Sequence, residues 1–143
     1  MNKQSNHVPK IFWILGIIAL VWNLVGVFAY LGQSFMSDEI LKTLSKSEQS
    51  YFTNIPAWVT AAFATAVFAG LFGSICLLFR KKIALFLFLI SFVALILQHS
   101  YNLFIQEFMN IGGSQLILPI LTTLIGIFLL WFSYKMDKKG VLI

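Results

Sequence analysis

Four long apolar stretches, separated by short polar segments, dominate the pattern of the chain. They cover about residues 11–33, 57–79, 83–106 and 115–134. A helix of some twenty residues, at about 1.5 Å per residue, reaches across a hydrocarbon core of about 30 Å. The pattern therefore predicts an all-α fold, an integral membrane bundle of four transmembrane helices, with residues 1–143 forming a single membrane domain.

The first two stretches contain rows of small residues. In the first, small and polar residues recur at steps of three and four: Gly16, Ala19, Asn23, Gly26 and Tyr30. In the second, every fourth position is small: Ala62, Ala66, Gly70 and Ser74. Helices in lipid associate through close backbone approach and interhelical hydrogen bonds, since lipid is as apolar as leucine. These rows are predicted to be helix-packing faces, within the bundle or towards a second copy or another membrane protein.

Residues 34–56 form the only sizeable loop, and they contain helix-starting signals. Ser37 precedes two acidic residues, and Ser45 with Glu48 fits a capping box. We expect one or two short amphipathic helices lying on the membrane or over the mouth of the bundle. A disordered loop is the alternative. After the second stretch, Arg80 and two lysines follow at once, which predicts a tight antiparallel hairpin with the third helix.

The third and fourth stretches each contain an interruption. The third is apolar as far as Leu97 and then becomes polar over residues 98–102. The fourth contains Pro119, and a helix that began there and ended at Tyr134 would be only about 24 Å long, which is short for a bilayer. A kinked helix starting near Ser114 is therefore predicted.

Composition and charge agree with a membrane location. Hydrophobic residues make up 59% of the chain and charged residues 10%, whereas charged residues make up about a quarter of a soluble domain. With the N-terminus inside, eight of the ten basic residues are cytoplasmic and only Lys42 and Lys46 are outside. The positive-inside bias therefore predicts that both termini lie in the cytoplasm. Because the basic residues form no continuous patch, the net charge of +5 does not indicate nucleic-acid binding.

The N-terminal segment is predicted to be a short cytoplasmic tail. The alternative is a cleaved signal peptide, whose apolar core normally runs about 7–15 residues before a small-residue cleavage site. The apolar run here is longer and lacks such a site. A retained first transmembrane helix is therefore favoured.

The polar residues of the spans concentrate in their outer halves. Five of them form a candidate polar pocket: Asn23, Tyr30, Gln98, His99 and Asn102. They could line a pocket that opens outward beneath the loop, or they could hydrogen-bond each other or lie among the headgroups. Asn23 is predicted to be an interhelical clamp in preference to a solute contact. His99 is a buried functional candidate or a headgroup-level histidine.

The residues present argue against catalysis. The spans contain one histidine and one cysteine, Cys76, and no acidic residue. Metal sites need three or four converging ligands, and a haem with two histidine ligands would need a second histidine at matching depth. The sequence has no phosphate-binding loop, dinucleotide fingerprint or nucleophile–base pair. We therefore predict a protein that is not an enzyme and has no catalytic residue, cofactor or metal.

Several short motifs resemble a known family. They are WNLVGVFAY from Trp22, SEQSYF from Ser47, IPAW from Ile55, and LLFRKKIA from Leu77 after Gly73-Ser74. Together, over roughly residues 13–91, they resemble a family of small, uncharacterised four-helix bacterial inner-membrane proteins, some of which have an automatic "sugar transporter" label. The resemblance implies the same topology and no catalytic residue. The third helix with Gln98 lies outside it.

Two functional hypotheses follow from the sequence. The first is a small multi-pass inner-membrane protein of non-enzymatic, interaction or structural type, whose polar outer half serves packing. The alternative is a small transporter or solute-binding membrane protein for neutral polar, sugar-like solutes. A cavity bordered by Asn23 and Gln98 would favour the alternative.

Overall fold

The structure is a computed structural model that describes residues 8–143. Within these residues it is helical and contains no strand. Its α-helices are α1 (Lys10–Ser34), α2 (Asp38–Thr43), α3 (Lys46–Asn54), α4 (Ala57–Leu78), α5 (Ile83–Ser100) and α6 (Ile117–Lys138). Four of them, α1, α4, α5 and α6, are long and apolar enough to cross a membrane, which confirms the predicted fold. Of the predicted N-terminal tail, residues 1–7 lie outside the described part of the chain.

The four long helices pack in the order α1, α4, α5, α6. Because they alternate in direction, the start of α1 and the end of α6 lie at one end of the bundle, here called the terminal end. The short helices α2 and α3 lie at the other, the loop end. Since α1 packs mainly on α4 and α6 mainly on α5, α1 and α6 are the two outer members of the row.

The two outer helices meet at the terminal end through a compact apolar core. Phe12 near the start of α1 is fully buried, and its ring stacks on that of Phe132 in α6 at 6.1 Å between centroids. Leu77 of α4 and Phe88 of α5 belong to the same core, with Leu129 and Met136 of α6. This core therefore joins all four spanning helices and closes the terminal end.

The last residues of the chain are docked on the turn between α4 and α5. Gly140, with φ of 68°, ends α6, after which Leu142 is buried in the terminal-end core at 1% exposure. Arg80 donates from Nε to the Val141 carbonyl at 2.7 Å, and its own carbonyl accepts from the Ile143 N–H. Arg80 has φ of 58°, a left-handed conformation that costs a non-glycine residue about 1–2 kcal/mol. These hydrogen bonds offset that cost, and the tight hairpin predicted at this position is confirmed.

The capping signals predicted for the loop are also present. Ser37 accepts from the Ile40 N–H at the start of α2, and Ser45 with Glu48 forms a complete capping box at the start of α3. The Ser45 hydroxyl and then its backbone N–H hydrogen-bond the Glu48 carboxylate, and they lower the pKa of that carboxyl. The loop is thus two short helices, as expected.

The fourth span begins close to the predicted Ser114, but with a 3₁₀ turn, and it ends later than predicted. A 3₁₀ turn, Gly113–Leu116, comes first, and α6 begins at Ile117, so Pro119 is its third residue. In the first helical turn an N–H has no intrahelical acceptor, so proline costs no hydrogen bond there. The helix continues past the expected end at Tyr134 to Lys138, with Lys138 placed over the Tyr134 ring. Lysine side chains that lie along aromatic rings can extend a helix out of the apolar region.

Candidate functional site

A cavity of about 330 Å³ lies in the loop-end half of the bundle, between all four spanning helices. Each helix contributes a segment to its wall: residues 22–29 of α1, 63–67 of α4, 88–102 of α5 and its extension, and 118–129 of α6. Most of these residues are apolar, and none of them is charged. A volume of this size is at the lower end of the range for small-molecule sites, about 300–1,000 Å³.

The deep part of the cavity ends on the helix-packing contacts. Phe88 and Leu129 line it and also belong to the terminal-end core. Beside them, Asn23 donates from Nδ2 to the Ser74 hydroxyl at 3.1 Å and to the Ala19 carbonyl at 2.9 Å. Its hydrogen bond to Ser74 joins α1 to α4, which is the predicted clamp geometry.

The small residues of the second row make this contact close. Gly70 lies directly against Asn23, so a Cβ at that position would collide with the Asn23 Oδ1 atom and lie 3.1 Å from the Ser91 hydroxyl. Ser91 in turn donates to the Ala66 carbonyl at 2.6 Å, which ties α5 to α4. Ala62, Ala66, Gly70 and Ser74 are all buried.

The glycines of the first row also face α4. A Cβ at Gly16 would meet the Leu78 side chain at 2.6 Å, and one at Gly26 would meet Val67 at 3.1 Å. Both glycines therefore allow α1 and α4 to approach closely, and Gly26 also borders the cavity.

His99 and Thr122 form the best-defined polar contact of the cavity wall. The His99 Nε2 atom lies 2.9 Å from the Thr122 hydroxyl oxygen. That hydroxyl has one hydrogen, which it donates within α6 to the carbonyls of Leu118 and Pro119, each at 3.0 Å. In the tautomer that matches this placement of the hydrogen, His99 Nε2–H donates to the Thr122 oxygen and Nδ1 is an acceptor. Nδ1 is buried and has no hydrogen-bond partner among the described residues.

Gln98 is the second cavity residue with unused hydrogen-bonding capacity. It is half-buried, lines the cavity, and its amide makes no hydrogen bond to any residue of the described chain. An amide offers two donors and one acceptor oxygen. Gln98 therefore presents donors and an acceptor to the cavity, and the buried Nδ1 of His99 lies next to it without a partner among the described residues.

Asn102, by contrast, is bound to the loop. Its Oδ1 accepts a hydrogen bond of 2.7 Å from the hydroxyl of Tyr51 in α3. Tyr51 is 7% exposed and packs with Val59 and Tyr101 at the loop end. Burial, and secondarily the neighbouring Tyr101, raises the pKa of the Tyr51 hydroxyl. The loop therefore meets the polar edge of the cavity through one buried phenol.

Replacing Tyr51 by phenylalanine is expected to loosen this contact and change the response to alkali. Loss of the hydrogen bond should cost about 1–2 kcal/mol, because the Asn102 oxygen is left without its donor. With a raised pKa in the folded state, the neutral phenol stabilises the fold fully below its ordinary pKa of about 10, and this contribution is lost as the pH rises further. Thermal unfolding of the purified protein between neutral pH and pH of about 11 measures both effects.

The matched control for this prediction is Tyr134→Phe, which changes a tyrosine that is 51% exposed. We expect it to leave the alkaline loss of stability intact. If Tyr51→Phe and the unmodified protein lose stability identically above pH of about 10, the buried contact does not titrate as described.

A π-helical turn, Tyr101–Ile105, continues α5 beyond the polar run, with the Gln106 N–H bonded to the Tyr101 carbonyl at 3.0 Å. Turns of this type are rare and occur frequently at functional sites. The sequence predicted an ordinary helix here. The polar residues 98–102 are the only signal in the sequence that marks the position.

The structure brings together four of the five residues of the candidate pocket. Asn23, Gln98, His99 and Asn102 line the cavity, whereas Tyr30 does not. The Tyr30 ring instead packs edge-to-face on two phenylalanines of α4, Phe63 and Phe68, at 5.6 and 5.9 Å. Residues 8–143 contain no group of three His, Cys, Asp or Glu side chains that could hold a metal ion.

No protein-family model, curated protein or solved structure matches this chain. Function is therefore inferred from the cavity and its residues.

Proposed function

We propose that this protein is a non-enzymatic membrane protein that binds an uncharged polar ligand in the loop-end cavity. The observation that supports this most directly is the Gln98 amide, which lines the cavity and has no hydrogen-bond partner among the described residues, beside the buried and unpaired Nδ1 of His99. An unpaired polar atom in an apolar environment is unfavourable, by about 1–3 kcal/mol. A ligand that supplies the missing partners removes that penalty on binding.

The arrangement of His99 supports binding in preference to catalysis. The Thr122 hydroxyl, the nearest group that could act as a nucleophile, donates its hydrogen to carbonyls of its own helix and accepts from His99. A histidine that activates a hydroxyl must accept the hydroxyl's hydrogen instead. The hydrogen bond between His99 and Thr122 thus fixes the orientation of the imidazole ring and leaves Nδ1 without a partner in the described part of the protein.

The closed terminal end supports binding in preference to transport. Phe12, Phe132 and their neighbours fill the space beneath the cavity floor, so passage of a solute would require the core of the bundle to separate. A transporter of neutral, sugar-like solutes is the second candidate function. The resemblance to small membrane proteins labelled as sugar transporters favours it, and it would use the same cavity.

A purely structural or interaction function is the remaining hypothesis. The hydrogen bonds of Asn23 with Ser74 and of Asn102 with Tyr51 favour it, because both serve packing. They account for two of the four polar candidates on the cavity wall, and Gln98 is left without such a partner.

The proposed location is the bacterial inner membrane, with the terminal end in the cytoplasm. Arg80, Lys81 and Lys82 lie in the turn at the terminal end, together with the lysines at the end of α6. Among the described residues, the loop end contains two basic side chains, Lys42 and Lys46. The positive-inside bias thus supports a cavity that faces the outer leaflet.

Replacing Gln98 by leucine tests the proposed function. The purified protein in mild detergent would be heated with a panel of uncharged compounds: polyols, simple sugars, monoacylglycerols and fatty amides. A ligand at about 100 times its Kd adds about 2.7 kcal/mol of stability, which appears as a rise of several degrees in Tm. For any compound that raises Tm, we expect Gln98→Leu to increase the Kd about tenfold, because one hydrogen bond of about 1–1.5 kcal/mol is lost.

The control is Gln33→Leu, the same substitution near the loop end of α1 at a residue that does not line the cavity. The Gln33→Leu variant should show the same ligand-induced rise in Tm as the unmodified protein. Equal shifts in the two variants, or no shift with any compound of the panel, would contradict binding through Gln98.

A further inference from the structure

The cavity has an open side, which lies between α1 and α6. These helices are the outer members of the row and pack mainly on α4 and α5. Val25 of α1 and Leu118 of α6 both line the cavity, yet they are 58% and 62% exposed. Ala29, one turn further along α1, is exposed as well. All three lie within helices that span the membrane, so this opening faces the hydrocarbon of the bilayer.

Polarity changes with depth along the cavity. Gln98, His99 and Thr122 lie towards the loop end, whereas the deeper wall has Phe92 and Leu129 beside Asn23 and Ser91, whose polar groups already hydrogen-bond another helix. A compound with hydroxyls along its whole length would leave the deeper ones without partners, at a penalty of about 1–3 kcal/mol each. A molecule with a polar head and a hydrocarbon tail matches this gradient throughout.

The hydrogen-bonding groups restrict the head of such a molecule. His99 Nδ1 is an acceptor and needs a donor, while the Gln98 amide can give and receive. No charged side chain lines the cavity, so an ionised head would be poorly compensated there. A hydroxyl or amide head pairs with the Gln98 amide directly and reaches the buried Nδ1 once the His99 ring turns towards the cavity, whereas a carboxylate has no hydrogen to donate to Nδ1.

The volume excludes a helix of a second copy as the occupant. One turn of an α-helix with its side chains, about 10 Å wide and 5.4 Å long, fills roughly 400 Å³. The cavity holds about 330 Å³ in total. A flexible hydrocarbon chain is much narrower than a helix, so part of it can fill this volume while the remainder lies in the opening between α1 and α6.

From these observations, we propose that the ligand is an amphiphile of the outer leaflet. Its single hydrocarbon chain enters sideways between α1 and α6 and lies in the deep part of the cavity. Its uncharged hydroxyl- or amide-bearing head hydrogen-bonds Gln98 and His99. This inference rests on the proposed function and adds to it the ligand class and the route of entry.

Trp22, which lines the cavity near the middle of α1, provides a direct readout. In a variant with Trp13, Trp58 and Trp131 replaced by phenylalanine, it is the only tryptophan. The probe is a monoacylglycerol brominated in mid-chain, which quenches tryptophan fluorescence on contact. It would be added at low mole fractions to phosphatidylcholine vesicles containing the protein. We expect quenching that saturates, above the small linear increase caused by probe in the bulk bilayer.

Ala29→Phe places a ring in the opening between α1 and α6. We expect it to remove the saturating component of the Trp22 quenching. Its matched control is Ala61→Phe, which changes an exposed alanine of α4 at a similar distance from the loop end and outside the cavity. This control should behave like the single-tryptophan parent. Equal saturating quenching in Ala29→Phe and Ala61→Phe, or purely linear quenching in the parent, would overturn the proposal.

Failure of this inference is distinguishable from failure of the proposed function. If a water-soluble polyol or sugar raises Tm in a Gln98-dependent way while quenching by the monoacylglycerol stays linear, the cavity binds a solute and the amphiphile is excluded. If neither probe responds, both proposals are wrong. A brominated fatty acid, tested at alkaline pH where its carboxyl group is ionised in the bilayer, should quench without saturation. Saturation equal to that of the monoacylglycerol would contradict the assigned head chemistry.

Discussion

Replacing Gly70 by valine is expected to disrupt the bundle more than any other single change to a spanning helix. The new side chain would occupy the position of the Asn23 Oδ1 atom and press on the Ser91 hydroxyl. Overpacking of a core typically costs about 1–3 kcal/mol, and displacement of Asn23 also breaks its bond to Ser74. We expect loss of the folded peak in size-exclusion chromatography, or a fall in Tm of 10 °C or so.

Gly32→Val is the matched control. It is the same change in a spanning helix, where a Cβ would meet nothing within 4 Å. It should leave Tm within a few degrees of the parent. A second variant separates collision from a general effect on the helix: Asn23→Ala combined with Gly70→Val should be less damaging than the sum of the two changes, since the colliding amide is gone. Strict additivity would contradict the close contact.

Replacing Phe12 by alanine is expected to have the second largest effect. Phe12 is fully buried at the terminal end and stacks on Phe132. Truncating such a residue in a water-soluble core costs about 3–5 kcal/mol. Part of that figure is transfer from water, which contributes less within a membrane, so we expect about 2–3 kcal/mol here. Equilibrium unfolding in mixed detergent micelles measures this loss.

Ile11→Ala serves as the control for Phe12, because Ile11 is adjacent and 54% exposed. It removes a comparable apolar group from a lipid-facing position and should change the free energy of unfolding by well under 1 kcal/mol. Equal losses in the two variants would mean that the terminal-end core does not contribute to stability as its burial suggests.

The fold could be predicted from the sequence because its main determinants are local. A spanning helix needs a long apolar run, and the backbone in lipid has few alternatives to a helix. Caps such as Ser45 with Glu48 depend on residues three positions apart, so the pattern alone locates them. The π-helical turn and the start of α6 could not be found in this way. Both depend on how Tyr101 and the segment before Pro119 pack, which no short window of sequence specifies.

The candidate site could be predicted only in part, for a related reason. Helical periodicity places Gln98 and Asn102 on one face, and the structure indeed has both on the cavity wall. The same periodicity places Tyr30 with Asn23, but the rings of α4 hold Tyr30 away from the cavity. The open side between α1 and α6 depends on the order in which the helices pack, and that order is a property of the whole bundle.

The docking of residues 141–143 on the turn between α4 and α5 has a consequence for biosynthesis. Val141 and Leu142 are translated after all four spanning helices, yet they complete the terminal-end core and the hydrogen bonds of the turn at Arg80. While the polypeptide is still emerging from the ribosome, the hairpin of α4 and α5 therefore lacks the partners that offset the left-handed conformation of Arg80. The contacts of residues 141–143 with this turn can therefore form only after α6 has been synthesised.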